Sequence, residues 1–284
     1  MKKVFLNIWR VICYPLLYLG VQVVVTLVYL LVVIVPLSIR AGIESAGSGG
    51  GLGGQDFVGF VLSRIDYKIP VIVSVFAAFL IMFLILRKQW KADRVWNFKH
   101  FGPVVVFCLG VGFSMNILTN CVLSLLPLRQ YSSPVDDIAG VSFVFDFFVF
   151  ALTAPVLEEI IFRGTVQKRL VKMMNLHAAV ILQAFIFGLI HLDLIQGAYA
   201  FVLGIIIGYI YHWYDSIWFA CAIHIAFNGT SVLLLYIFGE TEVNLFYFML
   251  TALGFFAVSA ASLIVFAKNI KGLKSGRRYN RWYF

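Results

Sequence analysis

The sequence predicts an all-α integral membrane protein with about eight transmembrane helices and both termini on the cytoplasmic side. Three observations carry that prediction: an apolar composition, the length of the apolar runs, and the way basic residues fall between them. Of 284 residues, 62% are hydrophobic and 12% charged, and the mean hydropathy of +0.96 lies far outside the range of a soluble globular domain.

A helix needs about 20 apolar residues to cross the hydrocarbon core. Runs that meet or approach this length lie at roughly 11–37, 69–86, 103–126, 141–166, 177–193, 197–213, 216–238 and 244–267. The first is too long for a signal peptide, lacks a suitably placed small-residue cleavage site and has no soluble chain behind it, so it reads as a span. The runs are rich in Leu, Val, Ile and Phe without strand-like alternation, which points to a helical bundle and not to a closed barrel. Residues 1–140 then hold three helices and a glycine-rich outer loop, 141–238 a helical core, and 239–284 the last span with a basic tail.

The formal net charge of +9 concerns topology, because a basic excess in a membrane chain belongs to cytoplasmic loops and not to a nucleic-acid site. Lys2, Lys3 and Arg10 precede the first span, and Arg87, Lys88, Lys91, Arg94 and Lys99 separate the second and third. Lys168, Arg169 and Lys172 follow the fourth, and a run from Lys268 to Arg281 follows the eighth. The opposite side holds only Arg40, Arg64, Lys68 and Arg129, so the positive-inside rule places both termini in the cytoplasm.

Several features carry no chemistry. Cys13, Cys108, Cys121 and Cys221 lie in apolar runs without a CxxC pattern and read as small buried hydrophobes. The stretch Gly47 to Gly54 lacks the Lys-Ser/Thr of a phosphate loop and reads as a flexible linker. Gly204 and Gly208 form a GxxxG pair suited to close helix packing.

An ionisable side chain in mid-span costs several kcal/mol and so marks a functional site by default. The fourth run carries Glu158, Glu159 and Arg163, the fifth His191, and the seventh His224 and Asn228. Glu158 lies 17 residues before the turn at Asn175 and His191 lies 16 after it, so an antiparallel hairpin brings them to one depth, about 25 Å from the turn. Lys168, Arg169 and Lys172 are expected to snorkel and mark the interface, which leaves the site near mid-membrane. His224 lies nine residues past Asp215, about 13 Å from the same face. Glu158, His191 and His224 can thus share one cavity.

Glu159 and Arg163 are i,i+4 neighbours, whereas Glu158 is rotated about 100° away. The arginine therefore neutralises Glu159 and leaves Glu158 to face a polar cavity and transfer protons; a purely structural ion-pair cluster is the alternative. Pro155 removes a helix hydrogen bond one turn before the pair and can open the backbone there. His224 and Asn228 are also i,i+4 and could donate to one developing oxyanion, or simply join two helices. Phe187 lies one turn before His191 and would wall the site.

These motifs, Glu158-Glu159 with Arg163, Phe187 with His191, and His224 with Asn228, in that order on successive membrane helices, resemble the CPBP family of intramembrane proteases. That family is named for CAAX processing and bacteriocin processing and is also labelled Abi. The resemblance covers about 141–238 and marks it as the catalytic core; the first three spans fit in hydropathy only. It implies an endopeptidase in which Glu158 and His191 activate water, His224 and Asn228 stabilise the oxyanion, and Glu159 and Arg163 support them. No cofactor is expected. Zinc is the alternative, with Glu158, His191 and His224 as ligands, although no HExxH is present.

The substrate so implied is a membrane-associated peptide or a lipidated protein. The short chain and the EEIIFRG wording are similar to the bacterial branch, which implies a bacterial plasma membrane and a role in bacteriocin or signalling-peptide maturation or self-immunity. Two other classes stay open: a non-catalytic scaffold regulating a partner such as a sensor kinase, and an ion-coupled transporter, for which no inverted repeat of broken helices is evident.

Overall fold

The computed structural model describes residues 2–47, 68–92, 101–126 and 142–238, with isolated helical residues at 59 and between 249 and 261. These residues form helices joined by short turns, with no strand among them. Among the described residues, five helical segments are long and apolar enough to cross a membrane: Ile8–Ile43, Ile69–Lys88, Val104–Leu125, Leu194–Tyr214 and Ile217–Phe238. The chain is a membrane protein. The eighth apolar run falls largely outside the described residues, as do the glycine-rich stretch after Gly47 and the basic tail.

Two compact units are distinguished, Leu16–Leu84 and Met1–Pro15 with Ile85–Phe284. The first holds most of α1 (Lys2–Gly47) and the start of α2 (Lys68–Ala92). The second holds the remainder, beginning with the end of α2 and with α3 (Phe101–Leu125).

The fourth apolar run is a composite helix. It passes from α4 (Phe143–Asp146) into a π-helical stretch, π1 (Phe147–Thr153), then α5 (Ala154–Ile161), a second π-helical stretch, π2 (Phe162–Gln167), and α6 (Lys168–Leu170). Both widened segments are matched by threonines that donate to a carbonyl five residues back, Thr153 Oγ1 to Phe148 O (2.8 Å) and Thr165 Oγ1 to Ile160 O (3.3 Å). Pro155 sits in the first turn of α5, where a missing N–H is tolerated. The π segments therefore flank the glutamate pair on both sides, and π-bulges recur at functional sites because they re-aim side chains.

The fifth run differs from its predicted extent. Helix α7 (Leu176–Leu189) opens on Asn175, whose side chain accepts from Ala178 N at 2.9 Å, and closes at Ile190. His191 therefore stands in the turn after the helix. At 1.5 Å per residue α7 is about 21 Å long, short of a hydrocarbon core of about 30 Å. The chain reverses through Leu192, which has a positive φ of 57°, and Asp193 caps α8 (Leu194–Tyr214) by accepting from Gln196 N at 2.6 Å. Asp215, also left-handed at φ 48°, ends α8, and α9 (Ile217–Phe238) follows after Ser216.

Helix packing relies on small residues, as expected where lipid offers no hydrophobic drive for association. Gly204 and Gly208 of α8 face α7: a Cβ at Gly204 would lie 3.1 Å from Ala184 Cβ, and one at Gly208 3.0 Å from Val180 Cγ1. Gly112 of α3 lies directly against the Ile223 carbonyl of α9, and a Cβ there would also come within 2.7 Å of Ala226 Cβ. Asn116 adds a polar tie across this contact, donating to Ser231 Oγ at 2.6 Å. Cys108, Cys121 and Cys221 are buried as expected, whereas Cys13 is half-buried; all four are free thiols.

Lys168 and Arg169 do not snorkel. Both are buried: Arg169 donates to Thr165 O at 2.9 Å and lies over the Tyr14 ring, and Lys168 lies over the Tyr211 ring. Aromatic faces and a helix carbonyl hold these charges within the protein, and only Lys172 of the three is exposed.

Gly112→Ala should destabilise the chain by about 1–3 kcal/mol or more, because the added methyl meets main chain that cannot move aside. Gly20→Ala, where a Cβ meets nothing within 4 Å, should be neutral or stabilising by about 0.5–1 kcal/mol. Thermal unfolding of both variants in detergent checks the pair; equal melting temperatures would show that the α3–α9 contact is not tight.

Candidate active site

The residues singled out in the sequence converge on α5, the end of α7 and the middle of α9. At their centre is Glu159, fully buried, whose Oε1 accepts from two donors, Arg163 Nη1 at 2.8 Å and His224 Nδ1 at 2.8 Å. Arg163 is equally buried and reaches on to Gly204 O at 3.4 Å, a carbonyl on the small-residue face of α8. Its guanidinium lies 4.7 Å from the centroid of Phe187.

Phe187 joins the parts of the site. Its ring meets His191 edge-on at 4.9 Å and His224 edge-on at 5.7 Å, and Phe162 packs on it at 5.0 Å. Both imidazoles and the guanidinium thus stand on one apolar ring, which excludes water from Arg163 and fixes the two histidines relative to each other.

The two glutamates differ in access. Glu159 has no exposed side-chain surface, whereas Glu158 is 12% exposed and places Oε2 3.8 Å from His224 Nε2. His224 therefore bridges the carboxylates, bonded to Glu159 through Nδ1 and facing Glu158 through Nε2. Since the Glu159 carboxylate accepts, Nδ1 carries a proton, and Nε2 donates only when the ring holds both protons.

His191 is oriented by a different device. Its Nδ1 lies 2.8 Å from Phe187 O, which as a carbonyl can only accept, so Nδ1 is the donor and the neutral ring presents Nε2 as an acceptor. The titratable groups that act on it are Glu158, His224 and Arg163. Asn228, one turn beyond His224, donates Nδ2 to Phe150 O in π1 at 3.0 Å. The structure thus gathers Glu158, Glu159, Arg163, Phe187, His191 and His224, and ties Asn228 to the backbone just before them.

Other members of this environment carry no sequence signal of their own. Trp90 is buried and donates to Thr165 Oγ1 at 3.2 Å, bracing π2, although its sequence neighbours are basic and polar and read as a loop. Gln167 donates to Gly208 O at 2.8 Å, repeating one turn on the Arg163 to Gly204 bond. Asp146 is buried and accepts from Tyr236 Oη at 2.6 Å, so it ties α4 to α9. Among the described residues, no group of three or more His, Cys, Asp or Glu side chains is placed to hold a metal ion. Engagement of Nδ1 in both histidines leaves Nε2 as the remaining ring nitrogen of each, the one that a water molecule or a metal would meet.

Compared with known families, residues 140–230 match the family model described as Type II CAAX prenyl endopeptidase Rce1-like. The match agrees with the CAAX-processing resemblance drawn from the motifs, and its limits enclose every side chain of the cluster. The matched model is described as a prenyl endopeptidase, and the match spans 140–230 of the 284 residues. No curated protein and no solved structure matches the chain.

Glu159→Gln should cost about 3–5 kcal/mol, because it leaves a buried arginine without its carboxylate. Loss of thermal stability together with loss of activity is the expected result. A fully stable but inactive variant would instead assign Glu159 a direct part in the chemistry.

Proposed function

We propose that the protein is an intramembrane endopeptidase that hydrolyses membrane-associated peptides or lipidated proteins with water activated by Glu158 and His191, without a metal. The observation that carries this is the difference between the adjacent glutamates: Glu159 is sealed between Arg163 and His224, while Glu158 keeps some exposed surface, faces His224 Nε2 at 3.8 Å and acts electrostatically on His191. Of the two glutamates, Glu158 is the one with side-chain surface left for a water molecule.

In this mechanism a water bound between Glu158 and Nε2 of His191 loses a proton to the carboxylate as its oxygen attacks the scissile carbonyl. The carbonyl π electrons move to oxygen, and the oxyanion is met by Nε2–H of doubly protonated His224 and an N–H of Asn228. Collapse breaks the C–N bond, and the proton held by Glu158 passes to the leaving amine. Glu159 holds the His224 ring at Nδ1 much as the third member of a triad orients its histidine. A site built from buried groups favours a substrate that already lies in the bilayer, since a soluble chain would need to be desolvated to enter.

For the substrate, the bacterial resemblance favours maturation of a bacteriocin or signalling peptide, or self-immunity, at the plasma membrane; the matched family model is described by prenylated CAAX tails. A reporter peptide with and without a prenyl group, cleaved in proteoliposomes, separates these. Mass spectrometry of membrane-associated peptides from cells carrying wild type or Glu158→Ala distinguishes a protease from a scaffold or transporter, because only a protease gives a product that the variant lacks.

Glu158→Gln should lower the single-turnover rate by about 10²–10⁴ or more with folding intact, and His191→Ala nearly as much. The double variant should be scarcely worse than either single, because groups acting on one water are not additive. Glu158→Gln activity within tenfold of wild type would sink the assignment. Chelation, checked by elemental analysis, should leave the rate unchanged; stoichiometric zinc whose removal abolishes and whose return restores cleavage would replace the metal-free mechanism.

A further inference from the structure

Asn228 is held by a carbonyl that another residue leaves available. In π1 the backbone bonds run five residues back, and Ala154 N–H donates to Val149 O. One step further in that register, the N–H of residue 155 would go to Phe150 O. Residue 155 is proline and has no N–H. The Phe150 oxygen accepts from Asn228 Nδ2 instead, at 3.0 Å. The next residue on α9 permits the approach: Gly229 has no side chain where a Cβ would stand 2.9 Å from the Phe147 ring, so α9 lies close enough to π1 for a short amide to reach its main chain.

We propose that Pro155 is a positioning residue: by withholding a backbone donor it reserves the Phe150 carbonyl for Asn228 and so fixes which end of the Asn228 amide faces the site. A side-chain amide has a donating and an accepting end. A carbonyl only accepts, so it selects the NH₂ end, and the second N–H of that nitrogen stays available to an oxyanion. An amide released from the carbonyl can turn its oxygen inward, where it would repel the same oxyanion. The effect on rate rests on the proposed protease mechanism; the coupling between Pro155 and Asn228 does not.

The test is a double-mutant cycle of Pro155→Ala and Asn228→Ala, in which the alanine at 155 supplies the missing N–H to Phe150 O. In the chain with Pro155, Asn228→Ala should lower the single-turnover rate by about 10²–10³ at little change in KM. In the Pro155→Ala chain the same change should cost less than about tenfold, since the amide is already released. Melting temperatures form a second cycle independent of activity. Asn228→Ala should lower Tm by about 3–8 °C with Pro155 present, because the carbonyl loses its donor, and by about 1 °C or less with Ala at 155. Asn228→Leu, of similar size and without a donor for Phe150 O, should behave like Asn228→Ala. Full and equal losses from Asn228→Ala in both backgrounds, in rate and in Tm, would overturn the proposal. Coupled Tm values without any cleavage by wild type would keep the positioning role and reject the protease mechanism. Coupled Tm values with uncoupled rates would overturn the catalytic consequence of the positioning.

Discussion

One oxygen atom, Oε1 of Glu159, organises the site. It accepts from a guanidinium on its own helix and from an imidazole on α9 at the same distance of 2.8 Å, so the local i,i+4 pair also becomes a tertiary link. A buried carboxylate in a low-dielectric surrounding is tolerable only when charge and hydrogen bonds compensate it, and two donors on one oxygen do so. The same link fixes the orientation of His224, which in turn places Nε2 against Glu158. Removing Glu159 would therefore disturb the arginine, the histidine and, through the histidine, the neighbouring glutamate.

The composite helix around that link has a second consequence. A regular α-helix gives every interior carbonyl a backbone donor four residues on, and side chains then leave little of it open to neighbouring helices except beside small residues. The π segments and Pro155 interrupt that closure next to the glutamates, where Phe150 O, Ile160 O and Thr165 O engage side chains of Asn228, Thr165 and Arg169. At membrane depth such freed carbonyls must be satisfied by protein groups. The polar residues of α9 and the buried arginine meet that need, so the irregular backbone and the polar cluster stabilise each other.

The hairpin of α7 and α8 supplies the other wall. The C-terminal end of α7 sets the Phe187 ring against His191, His224 and Arg163 and gives His191 Nδ1 the Phe187 carbonyl as acceptor. Close approach of α8 at Gly204 and Gly208 sets the depth at which Arg163 and Gln167 find carbonyl partners, four residues apart on each helix. Small residues thus act twice, allowing contact between helices and exposing main-chain oxygens to the buried donors.

By itself the sequence determined the helical membrane architecture, since apolar run length and the absence of alternation leave no other solution, and it determined the Glu159–Arg163 pairing, which depends only on i,i+4 geometry. The motif order also sufficed to draw the CAAX-type resemblance, which the family match over 140–230 supports. Helix ends were less legible: His191 lies in a turn and not in a span, because the stop of α7 is set by the reversal at Leu192 and the Asp193 cap and not by any loss of hydrophobicity. Burial of Lys168, Arg169 and Trp90 was likewise invisible, because basic and aromatic residues near a helix end look interfacial until the rings and carbonyls that hold them are placed. Only the tertiary structure decided which nitrogen of each histidine is engaged and that Asn228 meets Phe150, since both depend on contacts between residues far apart in the chain.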